Sequence, residues 1–316
     1  MDPASVTAIA VINYNTRDLL RRCLASLERA GGDRILVVDN ASTDGSVEMV
    51  RTEFPDVELV ANPTNEGYGK AINDAMRATD RPYTLILNAD TRFISGSLSE
   101  AARYLDERPS VAILGPMLVD PDGSPQRTCF PFPGTMAWFC ENDPLGLVLR
   151  HVPPLRRRMR RYVPRDRAIA ASWVIGAAML VRRSAFEEVG GADESYFMYY
   201  EEVDLCYRLR DAGWKVHYAP VMTFEHFGGA STSQERARMI TQHFHSTERF
   251  YRRYYTGLRL WVWLNLMRIK MASCSALAAT LLVLPGSAER RADRRAQLKG
   301  WMDALFSRYD APGGSG

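Results

Sequence analysis

Cysteine is scarce in this sequence, and the few cysteines lie far apart. Among 316 residues there are five cysteines, and no two of them form a CxxC pair. Three of them fall within apolar patterns, which is typical of cysteines buried in a core. The sequence therefore offers no cysteine-based metal or redox motif, and a reduced, cytoplasmic setting is the simpler interpretation.

Long hydrophobic runs are also missing. The early apolar run Val6–Ile12 is too short for a secretory signal peptide and has no basic region before it. The longest charge-free part of the apolar stretch Leu258–Leu284 is Met271–Leu284, with 14 residues. A membrane-spanning helix needs about 20. A membrane-spanning polysaccharide synthase is thus disfavoured.

The charge balance names no partner for the chain as a whole, since the net charge is only +3. The distribution is uneven, because Arg150–Arg167 contains eight arginines and one acid, Asp166. A solvated face is the default interpretation of this segment, and binding of an anionic phospholipid or a lipid diphosphate is the alternative. No recognition motif with interleaved aromatic residues accompanies it, so nucleic acid is not a predicted partner.

The stretch Leu258–Leu284 has two interpretations that the sequence leaves open. Its tryptophans and basic residues, among them Trp261 and Arg268, suit a helix that lies in a membrane interface. The same pattern suits a helix packed on a catalytic domain or on the partner of a homodimer. A peripheral position at the inner face of the cell membrane is therefore one expectation for this chain.

The remaining composition is that of a globular protein, with 46% hydrophobic and 24% charged residues. Short apolar strands alternate with amphipathic helices in the first part of the chain, which predicts a parallel sheet covered by helices. Ligands of such sheets bind beyond the carboxyl ends of the strands. The predicted strands are Val6–Ile12, Arg34–Val38, Val57–Ala61, Tyr83–Leu87, Val111–Leu114, Trp173–Val181, Lys215–Ala219 and Val221–His226.

Two groups of residues suggest chemistry at these strand ends. Asn88 and Asp90 follow a buried strand, and oxygen ligands of this kind suit Mg2+ or Mn2+, with His226 favouring Mn2+. Asn and Asp are also common turn residues, and a lone histidine is more often structural. In the second group, Glu201 and Glu202 open a predicted helix, whose dipole would keep first-turn carboxylates ionised.

Six motifs in order resemble the family 2 glycosyltransferases with a GT-A fold, and most closely the rhamnosyltransferase-like branch of bacterial surface polysaccharide synthesis. The resemblance runs from about Val6 to Ser231. It rests on VINYNTRDLLRRCLASL, VVDNASTDGS, NEGYGKAIN, LILNAD, GAAMLVRRSAFEEVGGADESYFMYYEEVDLCYRLRDAGWKV and FEHFGG.

The resemblance implies a role for each matching residue. The residues matching the nucleotide site are Tyr14, Asn15, Asp39, Asn65, Gly67, Lys70 and Asn88, with Asp39 matching the residue that binds the pyrimidine. Asp90 and His226 match metal ligands, although Asn88 stands where the family's D-x-D motif begins with Asp. Glu202 matches the general base, often Asp in relatives, and Glu201 and Asp204 would bind acceptor hydroxyls. Asp204 can alternatively pair with Arg208.

The resemblance implies an inverting, metal-dependent transferase that uses a dTDP-, UDP- or GDP-sugar, with dTDP-rhamnose as the first expectation. The acceptor would be a lipid-linked or growing surface glycan. A catalytic domain over 1–231, with a nucleotide half over 1–119 and an acceptor half over 120–231, would precede a helical region over 232–316. The alternatives are a non-catalytic nucleotide-sugar or glycan-binding protein and a sugar-phosphate nucleotidylyltransferase. The latter would want a glycine- and basic-rich loop where Asn13-Tyr14-Asn15 stands.

Overall fold

The computed structural model describes residues 7–31, 34–134, 166–228, 235–282 and 287–307. The arginine-rich segment lies outside these residues except for Asp166 and Arg167, and so does the C-terminal tail. The described chain divides into two compact units. The first comprises Met1–Glu194 and Glu201–Ala230, and the second comprises Ser195–Tyr200 and Ser231–Gly316.

Strands and helices alternate through the first unit. The strands are β1 (Thr7–Asn13), β2 (Arg34–Asp39), β3 (Glu58–Ala61), β4 (Tyr83–Asn88), β5 (Thr91–Gly96), β6 (Val111–Val119), β7 (Cys129–Phe130), β8 (Ile169–Ala171), β9 (Trp173–Val174), β10 (Ala178–Arg182) and β11 (Lys215–His226). The helices of this unit are α1 (Arg17–Leu27), α2 (Ser46–Glu53), α3 (Tyr68–Ala78), α4 (Leu98–Asp106), α5 (Arg183–Glu188) and α6 (Glu201–Asp211).

One large sheet organises the first unit, in the order β3-β2-β1-β4-β10-β6-β11-β5. Strands β1 to β4 pair in parallel, and β6 pairs in parallel with β11. Strand β10 is antiparallel to both of its neighbours, β4 and β6. The predicted α/β fold is confirmed, but the sheet is mixed rather than mostly parallel, because β5 and β8 also pair antiparallel with β11.

The core explains why the early strands read as continuous apolar runs. All seven residues of β1 are buried, because helices cover both faces of the sheet. Helix α1 turns Leu20, Leu24 and Leu27 into this core, each at most 2% exposed. Burial of one such side chain stabilises the fold by about 1.5–3 kcal/mol. The apolar spacing of this helix is therefore its main source of stability.

Strands β7 and β8 were not predicted, and β11 is one strand where two were predicted. Two further differences lie next to the predicted site residues. The predicted strand Trp173–Val181 is two separate elements, β9 and β10, because a turn over Ile175–Ala177 interrupts it. The second difference is β5, which follows Asp90 directly and was not predicted. Its outward residues are polar or exposed, as expected for the edge strand that it is.

The second unit is helical. Its helices are α7 (Arg236–Tyr254), α8 (Gly257–Leu282) and α9 (Ala288–Phe306). Within this unit, Tyr199 and Tyr200 both pack edge-on against His243 of α7. Burial, and then the charge of Lys270, lowers the pKa of His243 to about 4, so this ring is neutral at physiological pH. Within the described residues, the structure contains no helix that is both long and apolar enough to cross a membrane.

Candidate active site

The predicted nucleotide side of the site begins where β1 and β2 end. The parallel register places Asn13 beside Asp39, and the Asn13 amide donates to Asp39 Oδ2 at 2.7 Å. The backbone N–H of Ser42 donates to Asp39 Oδ1 at 2.8 Å. Asp39 is buried, and each of its carboxylate oxygens accepts a hydrogen bond from a neighbouring residue. Sequence reasoning named Asp39 and missed its two partners.

The turn after β1 is fastened to the turn after β2. Asn15 has a left-handed φ of 51°, a conformation that asparagine adopts more readily than most residues. Its backbone N–H donates to Ser42 Oγ at 2.8 Å, and its side-chain oxygen accepts from Thr43 N at 2.8 Å. The adjacent Tyr14 is half-buried. These contacts fix the turn predicted to line the nucleotide.

The segment before α3 forms the neighbouring wall. Gly67 has φ 104° and ψ 175°, a conformation open essentially to glycine alone. The Asn65 side chain caps this turn by accepting from Gly67 N at 3.0 Å. Lys70 lies one turn further on, and its Nζ is 2.5 Å from Asp74 Oδ1. The ammonium of Lys70 is thus held by Asp74, and its two other N–H groups are the donors it could offer to a nucleotide phosphate.

The predicted metal residues are brought together by two antiparallel strands. Asn88 ends β4, and Asp90 precedes β5, whose register pairs Thr91 with His226 at the end of β11. His226 Nε2 consequently lies 3.5 Å from Asp90 Oδ1. Both side chains are about 10% exposed. Among the described residues, nothing donates a hydrogen bond to the buried oxygen Asn88 Oδ1.

The two glutamates at the start of α6 have different surroundings. Glu201 is 4% exposed, whereas Glu202 is half-buried. Burial, and then the charge of Glu202, raises the pKa of Glu201 well above its ordinary value. For Glu201, burial thus acts against the helix dipole that was predicted to keep first-turn carboxylates ionised. The helix dipole contributes only about 0.3–1 kcal/mol, which is less than the cost of burying a charge.

Tyr68, which sequence reasoning did not single out, connects the glutamates to the predicted metal side. Its hydroxyl donates to the backbone oxygen of Gly176 at 2.8 Å. Burial, and then the charges of Glu201, Glu202 and Asp90, raises the pKa of the Tyr68 phenol well above its ordinary value. The charges of all three carboxylates therefore act on one half-buried tyrosine.

Gly176 allows the side chains of Tyr68 and Glu202 to pack close to the backbone. A Cβ atom at Gly176 would lie 3.4 Å from Tyr68 Cε1 and 3.8 Å from Glu202 Cδ. Tyr68 and Glu202 thus pack on the same backbone position. The glycine of the GAA motif provides this close approach. The position of Tyr68 within the NEGYGKAIN motif was the other signal that could have drawn attention to it.

The third predicted acid of α6, Asp204, is enclosed within the fold. Its side chain is completely buried, and Oδ2 lies 2.7 Å from Arg208 Nε. Arg208 also donates to the backbone oxygen of Val189 at 2.6 Å. This placement argues against direct contact between Asp204 and an acceptor, and it supports the alternative that Asp204 pairs with Arg208 to hold α6. Glu201, with 4% exposure, is likewise closed to a large acceptor.

The comparison with known sequences decides the family. Residues 8–190 match the profile described as "Glycosyl transferase family 2". The chain belongs to glycosyl transferase family 2. As a family 2 enzyme it is a glycosyltransferase, and the predicted family is confirmed.

Two curated relatives place this family 2 enzyme in a rhamnosyltransferase-like branch. It is 32% identical over 303 residues to the N-acetylglucosaminyl-diphospho-decaprenol L-rhamnosyltransferase of Mycobacterium tuberculosis, covering 92% of this chain and 96% of the relative. It is 23% identical to the rhamnosyltransferase WbbL of Escherichia coli K12, covering 77% of this chain and 91% of the relative.

A solved structure shows the same fold at low sequence identity. The mannosyltransferase PcManGT from Pyrobaculum calidifontis, in complex with GDP-Man and Mn2+, superposes with a TM-score of 0.53 and 17% identity. The alignment covers 95% of this chain and 87% of that protein. The GT-A architecture predicted from the sequence is confirmed by this likeness.

The residues at the edge of β4 fit a divalent cation. Asp90 offers a carboxylate, His226 an imidazole nitrogen, and Asn88 a buried amide oxygen to which no described residue donates. Oxygen ligands with one imidazole suit Mn2+ or Mg2+. Across the described ranges, no three His, Cys, Asp or Glu side chains converge as a complete metal site. A cation held here would therefore take its other ligands from a bound diphosphate and water.

Proposed function

We propose that this family 2 glycosyltransferase moves a sugar from a nucleoside diphosphate to an acceptor hydroxyl by a single, inverting displacement. The observation that carries the proposal is the arrangement around Tyr68, whose side chain packs with Glu202 on Gly176 and whose pKa is raised by burial and by the charges of Glu201, Glu202 and Asp90. A base and a diphosphate-binding side are the two parts that such a displacement needs.

Glu202 is proposed as the general base. It is half-buried at the start of α6, and its carboxylate packs beside Gly176. Glu201 is a poor base by comparison, because its buried carboxyl holds its proton up to a higher pH. In the proposed step, Glu202 removes the proton of the acceptor hydroxyl while the oxygen attacks the anomeric carbon. The bond to the nucleoside diphosphate then breaks, and the anomeric configuration is inverted.

The diphosphate side consists of Asn88, Asp90 and His226. A bound Mg2+ or Mn2+ would supply positive charge to the departing diphosphate. Asp90 and His226 would hold this ion, and Asn88 would add a neutral oxygen ligand. Because Asn88 is neutral, the protein side of the site carries one negative charge fewer than it would with aspartate at both positions 88 and 90.

The nucleotide is proposed to lie against the turns after β1 and β2, with Asp39 near the base. Both oxygens of Asp39 accept hydrogen bonds, yet each carboxylate oxygen can accept a second one. The relatives named as rhamnosyltransferases make dTDP-rhamnose the first donor to test. UDP- and GDP-sugars are the next.

The acceptor is proposed to be a lipid-linked or growing cell-surface glycan, in keeping with the decaprenol diphosphate in the name of the mycobacterial relative. Helix α8 offers a second argument for a lipid surface. Leu258, Trp261 and Ile269 are each more than 60% exposed. The helix contains Arg259, Arg268 and Lys270 but no acidic residue. An apolar exposed face with basic residues suits the surface of an anionic membrane, where this enzyme would be peripheral.

A donor and acceptor panel tests the proposal. The purified chain is incubated with dTDP-rhamnose, UDP-sugars or GDP-sugars, with and without Mn2+, and with a lipid-diphosphate N-acetylglucosamine acceptor. We expect transfer from one donor, dependent on the cation, and NMR of the product should show an inverted anomeric carbon. Retention of configuration, or full transfer in EDTA, would contradict the proposed mechanism.

A further inference from the structure

Gln126 uses all of its side-chain polar groups next to the predicted metal residues. Its Nε2 donates to Asp120 Oδ1 at 2.7 Å and to the backbone oxygen of His226 at 2.7 Å. Its Oε1 lies 2.9 Å from His226 Nδ1. No sequence motif pointed to Gln126, which is 100 residues away from His226 in the chain.

The partners of Gln126 fix the orientation of its amide. A carboxylate and a backbone carbonyl can only accept hydrogen bonds, so the amide nitrogen must face Asp120 and the carbonyl of His226. A flipped amide would place an oxygen against two other oxygens. The amide oxygen is therefore the atom that faces His226 Nδ1, and it can only accept. The hydrogen of the neutral His226 ring must then sit on Nδ1.

This tautomer has a consequence at the other ring nitrogen. With the hydrogen on Nδ1, His226 Nε2 presents a lone pair, and that lone pair lies 3.5 Å from Asp90 Oδ1. Two electron-rich atoms thus face one another, which is unfavourable unless a cation lies between them. In the other tautomer, Nε2–H would donate to Asp90 and occupy the lone pair needed for a metal.

Hydrogen bonds within the turn that carries Gln126 fix the position of this residue. Gln126 N donates to Leu118 O in β6 at 2.9 Å, and Asp120 N donates to Ser124 O at 2.7 Å. The Ser124 hydroxyl donates to Asp120 Oδ2 at 3.1 Å, which orients the carboxylate that receives Gln126. Gly123 has a left-handed φ of 78°, which closes the turn. Gln126 is therefore held by the backbone and by Asp120.

We propose that Gln126 is a positioning residue that fixes the tautomer and ring orientation of His226, with Asp120 holding Gln126 in turn. The inference rests on the proposed cation site of Asp90 and His226. It extends that site to two residues that would not touch the metal. Partners that orient a ligating histidine in this way typically change metal affinity about 10–100-fold when they are removed.

The test compares Gln126→Leu with Ser124→Ala, a control in the same turn that contacts neither Gln126 nor His226 through its hydroxyl. Circular dichroism melts verify that each variant is folded. Long-range 1H–15N NMR then reports the tautomer of His226 in metal-free protein, at a pH where the ring is neutral. Mn2+ affinity is measured by EPR titration.

We expect the Nδ1–H tautomer in the wild type and in Ser124→Ala, and a loss of this preference in Gln126→Leu. The Mn2+ dissociation constant of Gln126→Leu should rise about 10–100-fold, with a smaller change in Ser124→Ala. An Nε2–H tautomer in the wild type would overturn the inference. So would an unchanged tautomer in folded Gln126→Leu. The tautomer is read without metal, so a failure of the proposed cation site would appear separately, as a wild type that does not bind Mn2+.

Discussion

The hydroxyl of Tyr68 donates a 2.8 Å hydrogen bond to the backbone oxygen of Gly176, across 108 residues of sequence. The bond joins the first residue of α3 to the loop that precedes β10. Because the same phenol lies among Glu201, Glu202 and Asp90, it links the wall of the proposed nucleotide site to that of the proposed base. Stability and transfer should therefore both respond to this contact.

The first prediction concerns this hydrogen bond. Tyr68→Phe should lower the free energy of unfolding by about 1 kcal/mol, since a buried hydrogen bond contributes roughly 0.5–1.5 kcal/mol. Urea denaturation measures the loss. Tyr104→Phe is the matched control, because its hydroxyl also makes one hydrogen bond, 2.9 Å from His217 Nδ1, away from the glutamates. Only Tyr68→Phe should also slow transfer, and equal activity of the two variants would argue against a role for Tyr68 in the site.

The second prediction concerns the cation. Asp90→Ala should abolish Mn2+-stimulated transfer, and His226→Ala should weaken it, because each removes a ligand from the pair that lies 3.5 Å apart. Isothermal titration with Mn2+ and turnover with and without EDTA check both variants. Asp122→Asn, an exposed acid of the neighbouring turn, serves as the control and should behave as the wild type. Full activity of Asp90→Ala in EDTA would rule out the site.

The third prediction concerns the base. Glu202→Gln preserves shape and removes basicity, so single-turnover transfer should fall by something like 10²–10⁴-fold while donor binding stays near wild type. Glu201→Gln should cost less, since the side chain of Glu201 is only 4% exposed and is closed to a large acceptor. Asp204→Asn should lower stability more than it slows transfer, because it breaks the buried pair with Arg208. If Glu202→Gln transfers the sugar at the wild-type rate, another carboxylate must be the base.

The fourth prediction is a pH dependence of stability. The folded-state pKa of Glu201 is raised, so the folded protein holds a proton that the unfolded chain has already released. The contribution of Glu201 to the free energy of unfolding is fully present below the ordinary pKa of glutamate. It is lost as the pH rises from that value towards the folded-state pKa. The slope approaches about 1.4 kcal/mol per pH unit within that window.

Glu201→Gln mimics the neutral acid and should remove this slope. Urea unfolding of both proteins at pH 4.5 and pH 7.5 checks it, and the difference between them isolates the contribution of Glu201. The variant should gain stability relative to the wild type as the pH rises. A difference that stays constant with pH would mean that Glu201 is ionised in the folded protein.

The fifth prediction concerns the membrane surface. Trp261→Ala and Ile269→Ala should weaken binding to phosphatidylglycerol vesicles, because both side chains are more than 60% exposed on α8. Sedimentation with vesicles measures binding, and added salt should weaken it, since exposed charges are screened within about 8 Å at physiological ionic strength. Ile94→Ala removes an exposed apolar side chain of the other unit and is the control. If the wild type does not bind such vesicles at low salt, α8 is not a membrane-binding helix.

Local patterns in the sequence were sufficient for most of the elements of the fold. The apolar run at the N-terminus predicted β1, because a strand buried on both faces must be apolar throughout. The spacing of Leu20, Leu24 and Leu27 predicted the buried face of α1. Family motifs likewise named Asp39, Asp90 and Glu202 as site residues, since motifs of this kind depend on neighbours in sequence.

The tertiary structure alone decided which of these residues meet and in what state. The sheet register sets the 3.5 Å approach of His226 to Asp90, and the turn after β6 brings Gln126 to the same ring. Burial raises the pKa of Glu201, and the packing of α6 pairs Asp204 with Arg208 inside the fold. The physical reason is common to all of these. Strand pairing and desolvation depend on residues distant in sequence, and a local pattern contains neither.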